Sequence, residues 1–114
     1  MFSLLCYCRD CQKASGTAGV PVMGVPKAEF EVSGATRTTR TPGSSGKAGI
    51  RHFCAECGSL LFGTPEVAPD LVTVYVGSLD VLEDFHPTTA IFTRSRPAWA
   101  TLRADLVEFE GAPQ

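Results

Sequence analysis

Residues 6–16 read CYCRDCQKASG and place three of the chain's five cysteines within six positions. An odd number of cysteines does not fit a secreted disulfide framework, because one thiol would be left over. Cysteines spaced C-x-C also rarely reach the distance and dihedral angle that a relaxed disulfide needs. In a reducing compartment, clustered cysteines more often bind a metal or take part in catalysis. The stretch therefore favours a metal or catalytic site over a disulfide.

The composition is that of an ordinary globular protein. The 114 residues are 44% hydrophobic and 19% charged, with a formal net charge of −2. This length predicts a single domain over residues 1–114. The scattered lysines and arginines argue against a nucleic-acid or membrane-surface binder. No apolar run approaches the roughly 20 residues of a membrane span, and the N-terminus lacks the regions of a signal peptide, so we expect a cytoplasmic protein.

Short strands and turns dominate the rest of the sequence. Apolar and polar residues alternate over 28–33, which predicts a half-buried strand that Gly34 ends, with 35–41 as its hairpin partner. Gly, Ser and Pro over 42–49 predict a flexible loop. No long stretch has helical periodicity, so we expect a small, mainly antiparallel β domain. Further strands are predicted over 50–53, 59–62, 71–76, 90–93 and 106–109.

A second cysteine motif, FCAECG, occupies residues 53–58. The two residues between Cys54 and Cys57 let both sulfurs converge on one ion, and Gly58 can take the left-handed conformation that such a turn requires. The alternative is a thioredoxin-like redox pair, which should follow a strand and open a helix. An apolar strand is predicted after this motif instead, so the pattern favours a zinc knuckle.

The first cluster can be interpreted in the same terms. On an extended segment, Cys6 and Cys8 point to the same face, and Cys11 can join them through a turn. Three thiolates about 2.3 Å from one Zn²⁺ would fill three tetrahedral corners. Three protein ligands with one exchangeable position are typical of catalytic zinc. The alternative, a structural site closed by another cysteine, remains open.

The ligand type indicates which chemistry such a zinc would support. Three thiolates over-neutralise a dication and make it a weaker Lewis acid than zinc held by three histidines. Activation of water is therefore disfavoured. Binding a fourth, exogenous thiol as a nucleophilic thiolate is favoured instead.

The two cysteine motifs together resemble a known family. The patterns C-x-C-x-x-C-x-x-x-S-G over 6–16 and F-C-x-x-C-G over 53–58 are similar to those of the glutathione-dependent formaldehyde-activating enzymes, which belong with the centromere protein V group. Supporting matches are VGSLD at 76–80 and IFTRSRPAW at 91–99. The resemblance implies a β-tent fold, bound zinc, and carbon–sulfur lyase activity of the S-(hydroxymethyl)glutathione synthase type.

The resemblance also implies roles for all five cysteines. Cys6, Cys8 and Cys11 would hold the catalytic zinc, whose open position would bind the sulfur of glutathione. Cys54 and Cys57 would contribute to a structural zinc. The remaining alternative for the whole protein is a zinc-stabilised binding module without catalysis.

Two departures from the family pattern bear on this interpretation. The family's structural zinc takes two more ligands from an upstream G-x-C-x-C-G strand, which this sequence lacks, so we expect the chain to be truncated at its N-terminus. His52 is a weaker candidate ligand for the incomplete site. Tyr7 stands where the family often has histidine, and it should point away from the sulfurs.

Several other residues are expected to have structural rather than functional roles. We expect Trp99 to lie in the core or at its rim, and His86 to be a loop residue rather than a general base. Basic residues could bind the two carboxylates of glutathione, although most such residues are simply solvated, and none is assigned this role. These residues are Arg9, Lys13, Arg51 and Arg94.

Overall fold

The computed structural model describes residues 2–43 and 45–113, so that Met1, Ser44 and Gln114 lie outside the described residues. These residues form strands, one α-helix and short 3-10 turns. The elements are β1 (Phe2–Cys6), α1 (Arg9–Ser15), β2 (Val20–Pro26), β3 (Thr36–Pro42), β4 (Ala48–Cys54), β5 (Leu60–Pro65), β6 (Leu71–Tyr75), β7 (Thr89–Ile91) and β8 (Val107–Glu108).

The strands form one eight-stranded sheet in the order β3-β4-β5-β6-β2-β1-β7-β8. The pairings of β1 with β7 and of β7 with β8 are parallel, and the other five are antiparallel. The predicted mainly β fold is therefore confirmed, with a mixed sheet in which antiparallel pairs predominate. No described helix has both the length and the apolar character needed to cross a membrane.

Most predicted strands lie within one to three residues of observed ones, but the strand predicted over 28–33 is wrong. A 3-10 turn covers Lys27–Glu29, and irregular backbone follows it. The ring of Phe30 packs 4.8 Å from that of Phe62, whereas Val32 is 55% exposed. The alternation therefore reflects one anchoring aromatic residue rather than a strand, and the hairpin partner of β3 is β4.

Strand β2, which the sequence analysis did not predict, lies near the middle of the sheet. Its sequence VPVMGVP contains two prolines and a glycine, all of which normally weaken a strand prediction. Gly24 is required by packing, because a Cβ atom there would collide with the ring of Phe2. Gly24, one of the residues that weaken the strand prediction, is therefore needed for the packing of β1 against β2.

The two faces of the sheet have different environments. Leu4, Val22 and Tyr75 are register partners across β1, β2 and β6, so they share one face, together with Cys6. This face carries a buried cluster that includes Cys11 of α1. The opposite face carries a separate core built around Phe62, Val72 and Val74. The first face, called here the cysteine face, holds the candidate site.

Candidate metal centre

The end of β1 and the start of α1 bring three cysteine side chains together, those of Cys6, Cys8 and Cys11. Cys6 is the last residue of β1, and Cys8 is the N-cap of the helix, with extended backbone at φ −63° and ψ 150°. The Sγ of Cys8 accepts a hydrogen bond from the backbone N–H of Cys11 over 3.2 Å. Cys8 thus takes the capping role that Ser or Asp often has, and its sulfur lies beside that of Cys11.

The three sulfurs fit the requirements of one metal ion. All lie within 4.8 Å of one another, and the corners of a zinc–thiolate tetrahedron are about 3.8 Å apart for Zn–S bonds of about 2.3 Å. Cys6 and Cys11 are buried, at 5% and 7% exposure, and Cys8 is half-buried. In residues 2–43 and 45–113, no fourth Cys, His, Asp or Glu joins the group. The cluster thus offers three soft ligands, one of them on the accessible side.

Arg51 lies beside this cluster on the cysteine face. One terminal guanidinium nitrogen donates to the Sγ of Cys11 over 3.3 Å, and the other donates to the Oγ1 of Thr41 over 3.4 Å. The residue is only 8% exposed, and its buried Nε has no hydrogen-bond partner among the described residues. Arg51 therefore places a buried positive charge against the sulfurs, rather than on the surface where it could hold a glutathione carboxylate.

The sulfurs and Arg51 determine where negative charge resides in the cluster. Hydrogen bonds from the thiols of Cys6 and Cys8, and then from Arg51, lower the pKa of Cys11. Hydrogen bonding to Cys11 raises the pKa of both Cys6 and Cys8, and burial raises both further. Of the three sulfurs, that of Cys11 is therefore the one whose thiolate form its hydrogen-bond donors and the guanidinium favour.

Tyr75 is a site residue that the sequence analysis did not single out. Its side chain is 8% exposed and packs in the same cluster as Cys6 and Cys11. Burial raises the pKa of the Tyr75 hydroxyl, so it stays protonated. That hydroxyl lies beside Gly63, 3.6 Å from the position that a Cβ atom there would take. The sequence analysis included Tyr75 only as part of the strand predicted over 71–76.

A cavity of about 670 Å³ opens on the cysteine face next to the sulfurs. Cys6, Cys11 and Tyr75 form part of its wall, and most of the remaining wall is apolar. A separate cavity of about 420 Å³ also borders Tyr75 and includes the serines of α1 and of the loops after β4 and β6. The cluster of three sulfurs is therefore adjacent to space that small molecules can enter.

Cys54 and Cys57 form a turn of the predicted knuckle type. The N–H of Cys57 donates to the Sγ of Cys54 over 3.5 Å, and the N–H of Gly58 donates to the carbonyl oxygen of Cys54 over 2.9 Å. Gly58 has φ 79°, the left-handed conformation expected from the sequence. A hydrogen bond with Ser59 lowers the pKa of the exposed Cys57 thiol. The turn is formed, but it lies apart from the first cluster.

His52 is engaged elsewhere. Its ring stacks on Phe62 at 4.1 Å with an interplanar angle of 13°, and its Nε2 is 3.0 Å from the Oγ1 of Thr64. These contacts hold the imidazole on the face opposite Arg51, in the role of a packed strand residue. The structure therefore gives no support to His52 as a ligand of the Cys54–Cys57 turn.

The remaining candidates lie outside the cluster. The ring of Tyr7 points away from the sulfurs, as expected, and is 2% exposed, with its hydroxyl donating to the carbonyl of Thr101. Trp99 is 77% exposed, so the prediction that it lies in the core or at its rim is wrong. His86 is an exposed loop residue. Three basic side chains lie at or near the surface: Arg9, which donates to Gln12; Lys13; and Arg94, which lies over the Phe92 ring.

Comparison with known proteins agrees with the motifs. The family model described as glutathione-dependent formaldehyde-activating enzyme matches residues 1–95, a range that includes both cysteine motifs and Arg51. No curated protein matches the chain.

Proposed function

Because the chain belongs to the glutathione-dependent formaldehyde-activating enzyme family, we propose that it is a carbon–sulfur lyase that joins formaldehyde, or a related small carbonyl compound, to glutathione. The observation that carries the proposal is the cluster of three sulfurs within 4.8 Å of one another, with no fourth such ligand among the described residues. Cys6, Cys8 and Cys11 are the proposed ligands of a catalytic zinc. The remaining tetrahedral corner is then available to a substrate thiol.

Zinc bound by these three residues would keep a substrate thiol in its deprotonated, nucleophilic form. The chain supplies the surroundings of that thiol. Arg51 offsets the negative charge that three thiolates leave around a dication, and the cavity wall beside the buried Cys6 and Cys11 is mostly apolar. These features favour sulfur addition over hydrolysis.

The proposed reaction balances without an oxidant or reductant. The thiol loses its proton, and the sulfur lone pair forms a bond to the carbonyl carbon. The π electrons of the C=O bond move to oxygen, which takes up one proton. The product is a hydroxymethyl thioether, and the reverse path returns the thiol and the aldehyde.

Cys54 and Cys57 are proposed as ligands of a second, structural zinc. The turn between them already has the hydrogen bonds and the left-handed glycine of a knuckle. Structural zinc sites almost always have four ligands, so this site needs two donors beyond the pair. His52 is not proposed as one of them, because its ring is held by Phe62 and Thr64.

A cytoplasmic location is part of the same proposal. All five cysteines are free thiols. Such thiols persist in a reducing compartment, and zinc binding requires them in their reduced form.

The direct test is the rate at which ¹³C-formaldehyde exchanges with its glutathione adduct, measured by exchange NMR with zinc-loaded protein. We expect the protein to accelerate the exchange above the spontaneous rate, and a chelator to abolish the acceleration. A rate equal to the spontaneous one, in protein whose first cluster is fully loaded with zinc, would contradict the enzyme. That result would leave a zinc-stabilised binding module as the function.

A further inference from the structure

The cavity beside Cys6 and Cys11 is larger and more apolar than formaldehyde chemistry requires. Its volume of about 670 Å³ lies within the range of cavities that bind organic ligands of considerable size. Among the described residues that line it, none is charged. Its polar groups are the two thiols, two threonines and Tyr75, and its apolar wall includes Leu4, Val22, Leu71, Ile91 and Phe109.

Glutathione does not match this wall. It is a peptide with two carboxylates, one ammonium group and two amides, all of which need hydrogen-bond or ionic partners when they leave water. A wall without any charged side chain cannot supply partners for those groups. The serine hydroxyls around the separate 420 Å³ cavity, which also borders Tyr75, are a better environment for the polar thiol. The apolar cavity is therefore left for the other reactant.

Formaldehyde does not match the wall either, because its carbonyl carbon carries only hydrogen atoms. Building on the proposed function, we infer that the carbonyl substrate is an aldehyde with a bulky apolar substituent, such as a medium-length alkyl chain or an aromatic ring. The substituent would lie in the cavity against Leu4, Val22 and Ile91. Its carbonyl carbon would then face the side of the cavity where Cys6 and Cys11 hold the reaction centre.

The lining residues allow this cavity to be blocked without touching the sulfurs. Ala68 lies in the turn between β5 and β6 and contributes to the wall, as does Thr89 on β7. Both are half-buried, so the larger side chain of Ala68→Trp or Thr89→Trp can extend into the cavity. Ala28 is exposed in the 3-10 turn after β2 and is not part of the wall. Ala28→Trp is therefore the matched control.

The test compares two aldehydes, formaldehyde and 4-fluorobenzaldehyde, in glutathione adduct exchange with zinc-loaded protein. We expect the KM for 4-fluorobenzaldehyde to be at least about tenfold below that for formaldehyde, as is typical of an apolar substituent in a matching pocket. Blocking with Ala68→Trp or Thr89→Trp should raise the KM for the aromatic aldehyde by at least about tenfold while that for formaldehyde stays within about twofold. The Ala28→Trp control should behave as the wild type.

A second measurement separates binding from activity. 4-Fluorobenzyl alcohol has the same substituent but no carbonyl group, so its ¹⁹F line width reports binding alone. The wild type and Ala28→Trp should broaden the line, and both blocking variants should abolish the broadening. Equal broadening in all four proteins would overturn the inference.

The kinetic outcomes distinguish the inference from the function on which it rests. Acceleration of formaldehyde exchange without acceleration for 4-fluorobenzaldehyde would overturn the inference and leave the proposed function standing. Blocking variants that raise both KM values equally would also overturn it, because the cavity would then not discriminate by substituent. Acceleration for neither aldehyde would contradict the proposed function itself.

Discussion

Arg51 donates a hydrogen bond across 3.3 Å to the sulfur of Cys11, a residue 40 positions earlier in the chain. The contact joins the middle of β4 to the first turns of α1, and it places a buried cation against a cluster of thiols. Three thiolates around a dication carry one net negative charge, which a single guanidinium can offset. We therefore expect Arg51 to stabilise the cluster when its three sulfurs bind a metal as thiolates.

Replacing Arg51 with methionine should weaken zinc binding. Methionine keeps much of the apolar stem and removes the charge, so we expect the zinc Kd of the first cluster to rise by about 10–100-fold, the range found for outer partners of metal ligands. Competition with a chromophoric chelator measures this Kd. Arg40→Met is the control, because Arg40 pairs with Glu66 at an exposed position. An Arg51→Met variant with wild-type affinity would show that the contact does not act on the metal.

The variant Cys8→Ser, which removes the middle of the three sulfurs, distinguishes a catalytic from a structural cluster. We expect Cys8→Ser to remain folded, to lose the zinc of the first cluster and to lose adduct exchange activity. Cys57→Ser, which changes the other cysteine motif, should retain zinc at the first cluster and its activity. Circular dichroism, zinc content and the exchange assay report these outcomes. Global unfolding of Cys8→Ser would identify the cluster as structural, since structural zinc can supply about 10–16 kcal/mol of apparent binding energy.

Gly63 is required by the packing of the cysteine face. A Cβ atom there would lie 2.5 Å from the Oγ1 of Thr73 and 3.4 Å from the carbonyl oxygen of Ile50. We expect Gly63→Ala to lower the free energy of unfolding by about 1–3 kcal/mol, as overpacking does. Gly77→Ala, where a Cβ atom meets nothing within 4 Å, should change it by less than about 0.5 kcal/mol. Urea denaturation measures both, and equal effects would contradict the packing account.

Glu66 should make stability depend on pH. Its carboxylate accepts a hydrogen bond from the backbone N–H of Ala48 over 2.7 Å, and this bond, followed by Arg40, lowers the pKa of Glu66 below 4.5. A lowered folded-state pKa contributes stability that is present above the unfolded-state value and is lost as pH falls through the folded-state value. The wild type should therefore be more stable than Glu66→Gln at pH 7, and the difference should begin to shrink as pH falls through the unfolded-state value of about 4.3 and be lost only below the lower folded-state pKa.

Urea midpoints across pH 3–7 measure this difference, with Arg40→Met as the second variant. Because the bond to Ala48 acts on the pKa of Glu66 independently of Arg40, Arg40→Met should retain a measurable part of the pH dependence. A pH dependence that disappears in Arg40→Met would assign the effect to the ion pair instead.

The sequence predicted the parts of the fold and site that depend on local patterns. The two cysteine motifs, the left-handed Gly58 and the strand over 71–76 all follow from residue type and spacing. Helix α1 escaped prediction because its seven residues are too few for helical periodicity, and its start is set by the sulfur of Cys8 acting as a cap. The sulfur of Cys8 thus both starts the helix and lies beside that of Cys11. Cysteine is not a usual N-cap residue, so the sequence did not indicate a helix start here.

The orientation of some side chains and the shape of the cavity depend on contacts between residues far apart in the sequence, so the sequence analysis could not predict them. In β4, Arg51 and His52 are consecutive basic residues, and either one could face solvent. The pairing of β4 with β3 and β5 turns Arg51 toward Cys11 and stacks His52 on Phe62. The apolar cavity likewise depends on six strands, on α1 and on the loops between them, so no single segment predicts it.

The proposed function requires the first cluster to bind zinc through three protein sulfurs and to leave one position for a substrate thiol. Zinc-edge X-ray absorption tests it most directly, on a Cys54→Ser/Cys57→Ser variant loaded with one equivalent of zinc, so that only Cys6, Cys8 and Cys11 contribute sulfur. We predict three sulfur ligands and one oxygen or nitrogen ligand without glutathione, and four sulfur ligands when glutathione is added. A zinc coordination shell that glutathione leaves unchanged would contradict it.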